Sequence, residues 1–509
     1  MPPVLTEAAS PRSRVTKSEK QKQISPSNVL DTIGQHVLLD GFKVVVDLEK
    51  SRRSYLYNAV DNRRLIDLYG FFGSMPVGFN HPHFDQPAAQ RDLLRAARVK
   101  IANSDVYSEG YAKFVETFEH VVGLPPLERY LFIEGGALAV ENCLKAAMDW
   151  KVRKNMAAGH GERGTQILHF RRAFHGRSGY TMSLTNTDPR KTDLFAKFDW
   201  PRVSCPCIDF SLPESEREAD VIEREKKAER EVREFIDQRK IDICAIIIEP
   251  IQGEGGDNHF RGEWLQKLRK ICDENDILLI FDEIQCGMGA TGRNWCCEHF
   301  GVLPDLLAFG KKAQVCGVMA GPRLDEVKDN AFRVSSRLNS TWGGNFTDMV
   351  RSTHYLRIIE EEHLVENAAK VGAYFLDQLR DLQRDEPMIA AARGRGLFLA
   401  FDLPDPKTRE EFWKGFFDLG VLTLRSGENS IRFRPPLDIT AEVIDEAMDL
   451  MRKSCRKMRS SAVTGAEPAQ RSTRFRQLMD VESQACARLR MMIIKRRSPV
   501  RRKRFQNGA

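Results

Sequence analysis

Five short apolar runs, YLFIE, ILHF, ICAIIIE, ILLIFDE and DLLAF, lie between residues 130 and 309 and are separated by stretches of helical spacing. Strands that alternate with helices predict a mainly parallel sheet covered by helices on both faces. The surroundings of this core read differently. Residues 44–70 alternate apolar and polar positions around Asp61 and Asn62, which predicts short antiparallel strands. Beyond residue 359 a long helical pattern leads to RGRGLFLAFDL, VLTLR, SIRFRPPL and a helix over 441–453, a second α+β unit. The expected organisation is a leader (1–28), a small domain built from both chain ends (29–100 and 360–453), a large domain (101–359) and a tail (454–509). Within the large domain, 213–240 is dense in both charge signs and is expected to form an exposed helix of no chemical role.

With 509 residues, 42% of them hydrophobic, the chain has material for a large buried core and is no collagen, mini-protein or wholly disordered polymer. No apolar run approaches the roughly 20 residues of a membrane-spanning helix. The net charge of +7 misleads unless it is divided. Residues 452–509 hold 17 Lys/Arg and 3 Asp/Glu, leaving 61 basic and 68 acidic residues for the rest. The body is mildly acidic, so its charge argues against a nucleic-acid surface, and RRSPVRRKRF in the tail is the feature that a nucleic-acid-binding alternative rests on. The tail and the polar leader are both expected to be disordered. Eleven cysteines scattered without metal or disulfide spacing point to reduced thiols and a cytoplasmic protein.

Four clusters fall at or just after the ends of the expected parallel strands, where open α/β sheets collect ligands. In IEGGALAVEN (133–142) two glycines precede a helix, whose free N–H groups suit a phosphate. In LLIFDEIQCGMGATG (278–292) a buried strand delivers Asp282, an expensive position for an acid without a cation to meet it. Gly287, Gly289 and Gly292 spell G-x-G-x-x-G, but no amphipathic helix opens directly after them, so a dinucleotide fingerprint is rejected. PDLLAFGKK (304–312) presents Lys311 and Lys312 after an apolar strand, and a lysine in a desolvated site becomes the amine that forms a Schiff base. SRLNSTWGGN (336–345) carries Thr341 in a polar loop. Each also reads as an ordinary turn or cap; their joint occurrence favours chemistry. His175 reads as a packed loop residue, and Glu249 is left open between a structural and a functional role.

Taken in order, GGALAVEN, AFHGRSGY, EPIQGEGG, FDEIQCGMGATG, PDLLAFGKK, STWGGN and IRFRPP resemble the class III aminotransferases of fold type I, over about residues 29–453. The resemblance implies pyridoxal 5'-phosphate as cofactor, no metal, and a homodimer with shared sites. It implies that Lys311 binds the cofactor covalently and moves the substrate proton, and that Asp282 meets the ring nitrogen. It gives Gln285 to the ring hydroxyl, Phe174 to the ring face, Gly136 and Ala137 to the phosphate, and Thr341 to the phosphate in the adjoining subunit. Arg177 and Arg432 would hold substrate carboxylates, and Glu254 would neutralise Arg432 while no carboxylate is there. AFHGRSGYTMSLTNT, FAKFDWPR and GKKAQVCGVMAG look most like members acting on the ε-amine of L-lysine with 2-oxoglutarate. Ornithine and 4-aminobutyrate are the alternative amine donors. GATG stands where relatives have G-R-T-G, and residues 71–79, which line the substrate side in relatives, have their own sequence.

Overall fold

The computed structural model describes residues 24–464. Its largest sheet has seven strands in the spatial order Arg129–Ile133, Cys316–Ala320, Leu306–Phe309, Leu278–Asp282, Ile243–Ile248, Gln166–Phe170 and Arg202–Val203. Neighbours run parallel except Cys316–Ala320, which is antiparallel to both of its partners. All five expected apolar runs are strands of this sheet. The central ones are apolar at almost every position because both of their faces are covered. Leu278 and Ile280 face one core with Val140, Leu144 and Trp150 of the helix Gly136–Ala157. Leu279 and Phe281 alternate to the other core, against Phe114 and Phe118 of Glu109–Val122 and Trp264 of Gly262–Glu274.

The charged segment forms the helix Glu214–Arg239, and here the sequence expectation needs correction. Val221, Glu225, Ala228, Val232 and Ile236 repeat every three or four residues and are buried, so one stripe of the helix belongs to the core. Charge density hid that stripe, because apolar residues fill few of the intervening positions. Its buried Glu225 is neutralised by Arg261 at 2.6 Å.

Two smaller sheets use both ends of the chain. Tyr55–Tyr57 and Arg64–Asp67 form the expected antiparallel pair, and Val421–Leu422 joins them in parallel. The other sheet has the order Ala390–Arg395, Phe398–Asp402, Ser430–Phe433 and Leu424–Ser426. It delivers two arginines, Arg432 and Arg434, to the end of the large sheet where the lysine loop lies. The described chain through Ser454 is one compact unit. The last helix, Ala441–Thr464, runs beyond the expected end at Lys453. Most of the leader and all of the tail after residue 464 lie outside the described residues. Among those described, no helix is long and apolar enough to cross a membrane.

Candidate active site

Three loops at the strand ends interlock through glycines. An added Cβ on Gly136, or one on Gly310, would come within 3.2 Å of the Ile284 side chain, so the helix start and the lysine loop touch the same residue. A Cβ on Gly176 would meet that of Ala137 at 2.5 Å, which seats the histidine loop on the same helix start. Gly135, at φ +99°, turns the chain into the helix Gly136–Ala157 and faces open space. The free N–H groups of this long helix therefore front open space that suits an anion.

Asp282 ends its strand almost wholly buried. One carboxylate oxygen accepts Ile284 N–H at 3.1 Å, and the other lies 2.8 Å from His175 Nδ1. Each carboxylate oxygen has two acceptor directions, so the acid keeps two of its four free for a further donor. His175 is thus no mere packed loop residue: it is the partner that orients Asp282, and its position just after Phe174 was the available signal. Glu249 accepts Phe174 N–H at 2.9 Å and Gly253 N–H at 3.1 Å, which pins the loop carrying the aromatic ring. Burial raises Glu249 to about 7, with Asp282 adding to the effect and His175 opposing it.

Lys311 follows the strand Leu306–Phe309 with φ at +48°, an uncommon conformation for a residue with a side chain. Its amine makes no hydrogen bond or ion pair with the described residues. Burial, followed by the charges of Arg432 and Arg434, lowers it to about 8, while Glu254 and Asp282 act the other way. Lys312 beside it is engaged differently. Its amine donates to Met75 O at 2.8 Å and Pro435 O at 3.1 Å, so it clamps the two chain ends together over the loop. Residues 70–73 pass over this clamp with four successive positive φ values, two of them at Phe71 and Phe72.

The Arg432 side chain is 2% exposed and pairs with Glu254, while its Nη1 donates to Gln285 Oε1 at 2.9 Å. The second oxygen of Glu254 accepts the amine of Lys191 at 2.5 Å. Burial alone would raise Glu254, but Arg432 and Lys191 hold its carboxyl below the ordinary range. Lys191 had no sequence signal, being one lysine in a polar loop. The structure thus gathers Lys311, Asp282, Glu254, Gln285, Arg432, Phe174, Gly136 and Ala137 around one end of the sheet. It does not bring Arg177 or Thr341 into that set. Arg177 is exposed, and Thr341 is exposed in a loop where its carbonyl accepts Ser104 Oγ at 3.1 Å.

A desolvated lysine at a strand end, a buried acid oriented by histidine and an anion cradle at a helix start define a site for a phosphorylated aldehyde cofactor. The aminotransferase class-III family pattern matches residues 40–455, and the chain belongs to that family. It is 48% identical over 433 residues to a protein of Mycobacterium tuberculosis named L-lysine-epsilon aminotransferase, covering 84% of this chain and 96% of the relative. The protein of that name from Streptomyces clavuligerus is 47% identical over 430 residues, covering 84% and 94%. Among solved structures, lysine aminotransferase from M. tuberculosis in the internal aldimine form superposes with a TM-score of 0.83 at 48% identity, covering 85% of this chain and all of that one.

Class III aminotransferases depend on pyridoxal 5'-phosphate. The donor set suits it: an unpartnered amine for its aldehyde, spare acceptor capacity at Asp282 for its ring nitrogen, and the Gly135 cradle for its phosphate.

Proposed function

We propose that the chain transfers the ε-amino group of L-lysine to 2-oxoglutarate. The products are L-2-aminoadipate 6-semialdehyde, which cyclises to piperideine-6-carboxylate, and L-glutamate. The observation that carries this reading is the pairing of buried Arg432 with Glu254, whose side chain is 24% exposed. The ε-carbon of lysine has no carboxylate beside it, whereas the ketone of 2-oxoglutarate has one. A receptor for that carboxylate must be covered in one half-reaction and open in the other, since an unpaired buried guanidinium is costly. The names of the relatives at 45–48% identity support lysine as amine donor.

Bound at this site, pyridoxal phosphate supplies an electron sink for the carbanion left when a substrate proton departs. The chain's own residues do the rest. The Asp282 carboxylate, oriented by His175, holds a proton on the ring nitrogen. Lys311, with its amine free, would take the proton from the substrate carbon and deliver it to the former aldehyde carbon of the cofactor. Gln285 keeps its amide N–H groups for the ring hydroxyl, because its oxygen is taken by the arginines. Arg177 would hold the remote carboxylate of either substrate. Thr341 would serve the phosphate of the adjoining subunit in a homodimer. Residues 101–359 would form the cofactor-binding domain and 29–100 with 360–453 the smaller one. A cytoplasmic location suits free cysteines and a site for soluble metabolites.

The test is to incubate the enzyme with lysine and 2-oxoglutarate and to identify the nitrogen that moved. Loss of the ε-nitrogen is expected; exclusive loss of the α-nitrogen overturns the reading. Lys311→Ala should abolish both the visible cofactor band and transfer, and full activity in that variant refutes the assignment of the lysine.

A further inference from the structure

Glu254 divides its carboxylate between two cations of unlike setting. Arg432 is sealed inside, whereas the Lys191 side chain is 25% exposed at the rim. Lys191 ends the short helical turn Pro189–Lys191, which Asp188 caps by accepting Arg190 N–H at 3.0 Å. Its ammonium lies 5.4 Å from the centroid of the Phe174 ring, so the lysine reaches from a capped turn across the aromatic to the acid.

The balance of charge in this trio is uneven: two cations share one anion. A carboxylate arriving at Arg432 makes it two and two, with Glu254 passing wholly to Lys191. Without Lys191 the displaced Glu254 would be a half-buried carboxylate lacking any counter-charge. A residue shifts such an equilibrium only if it interacts differently with the two arrangements. Lys191 does, because it holds a shared acid in one and an undivided acid in the other. We propose that Lys191 is a specificity-determining residue that receives Glu254 when the carboxylate beside a carbonyl occupies Arg432, and so favours 2-oxo acids over aldehyde acceptors that lack that carboxylate. This rests on the carboxylate-binding role given to Arg432 above.

The experiment compares wild-type holoenzyme with Lys191→Met and Lys191→Arg, using as acceptors for one amine donor 2-oxoglutarate and 4-oxobutanoate, which keeps the remote carboxylate but lacks the one beside the carbonyl. Glutarate, a dicarboxylate that cannot react, is titrated by calorimetry in parallel. In the methionine variant both dicarboxylates should bind more weakly, 2-oxoglutarate as read by its KM and glutarate by its Kd. Each should rise about tenfold more than the 4-oxobutanoate KM, with a smaller change in kcat. The arginine variant should recover most of the difference. An equal effect on both acceptors, no effect, or an arginine variant no better than methionine overturns the proposal. A wild-type enzyme that takes no ε-nitrogen from lysine overturns the substrate assignment instead, and the acceptor comparison is then read with whichever amine the enzyme accepts.

Discussion

Arg432 and Arg434 stand two residues apart at the end of one strand, and both donate to Gln285 Oε1, at 2.9 and 3.2 Å. Their acids differ. Arg434 meets Asp257 with both side chains 1% exposed, and Asp257 also accepts Ser426 Oγ at 2.7 Å. Arg434 further donates to Phe433 O at 2.8 Å and lies 3.2 Å from the centroid of the Phe398 ring. Arg432 meets a partly exposed glutamate on a longer stem, and its own Nε is buried without a partner. One pair is saturated and sealed; the other leaves donors unmet and its acid within reach of water. A residue that must release its partner on demand is built by under-satisfying it, while its neighbour keeps the backbone in place.

The contrast breaks most visibly at Asp257. Asp257→Ala strands a fully buried guanidinium and should cost about 3 to 5 kcal/mol of stability in denaturant titration. A loss below about 2 kcal/mol would make the two pairs equivalent. Glu254→Ala also leaves the buried Arg432 guanidinium without its acid, but Glu254 is partly solvated and Arg432 keeps Gln285, so the cost should be smaller, about 1 to 2 kcal/mol. Its signature should be chemical: the glutamate half-reaction, relative to that of lysine, should speed up about tenfold, corresponding to about 1.4 kcal/mol. An unchanged ratio counts against a removable cover.

The smallest effect is on pH. Lys311 titrates near 8 and reacts only as the free amine, so covalent attachment of pyridoxal phosphate to cofactor-free protein should quicken as pH climbs through about 8. Glu254 raises Lys311, so Glu254→Gln should move that midpoint downward, followed by the absorbance of the attached cofactor. A midpoint that stays or rises would uncouple Lys311 from the pair.

Much of this was legible in the chain because strand ends carry their chemistry in contiguous motifs. Asp282 and Lys311 each come at or just after the end of an apolar run, and most of the seven-stranded sheet follows from those runs, whereas Arg432 was pointed to by family likeness. What escaped depended on tertiary neighbours. His175 gains meaning only when its ring meets Asp282, 107 positions away. Lys191 sits in a turn whose composition marks only a turn, and the buried stripe of Glu214–Arg239 is diluted by the charges around it. Arg177 was singled out by likeness alone and Thr341 by its polar, glycine-containing loop as well, and the single chain leaves both exposed.

The amine of Lys312 draws its two carbonyl acceptors from opposite ends of the polypeptide, Met75 and Pro435. During synthesis the reactive lysine beside it therefore leaves the ribosome more than a hundred residues before its seat can close. Chains interrupted short of Pro435 would carry every strand of the large sheet yet lack the fastening that aims Lys311, so competence for the cofactor arrives with the closing stretch of translation.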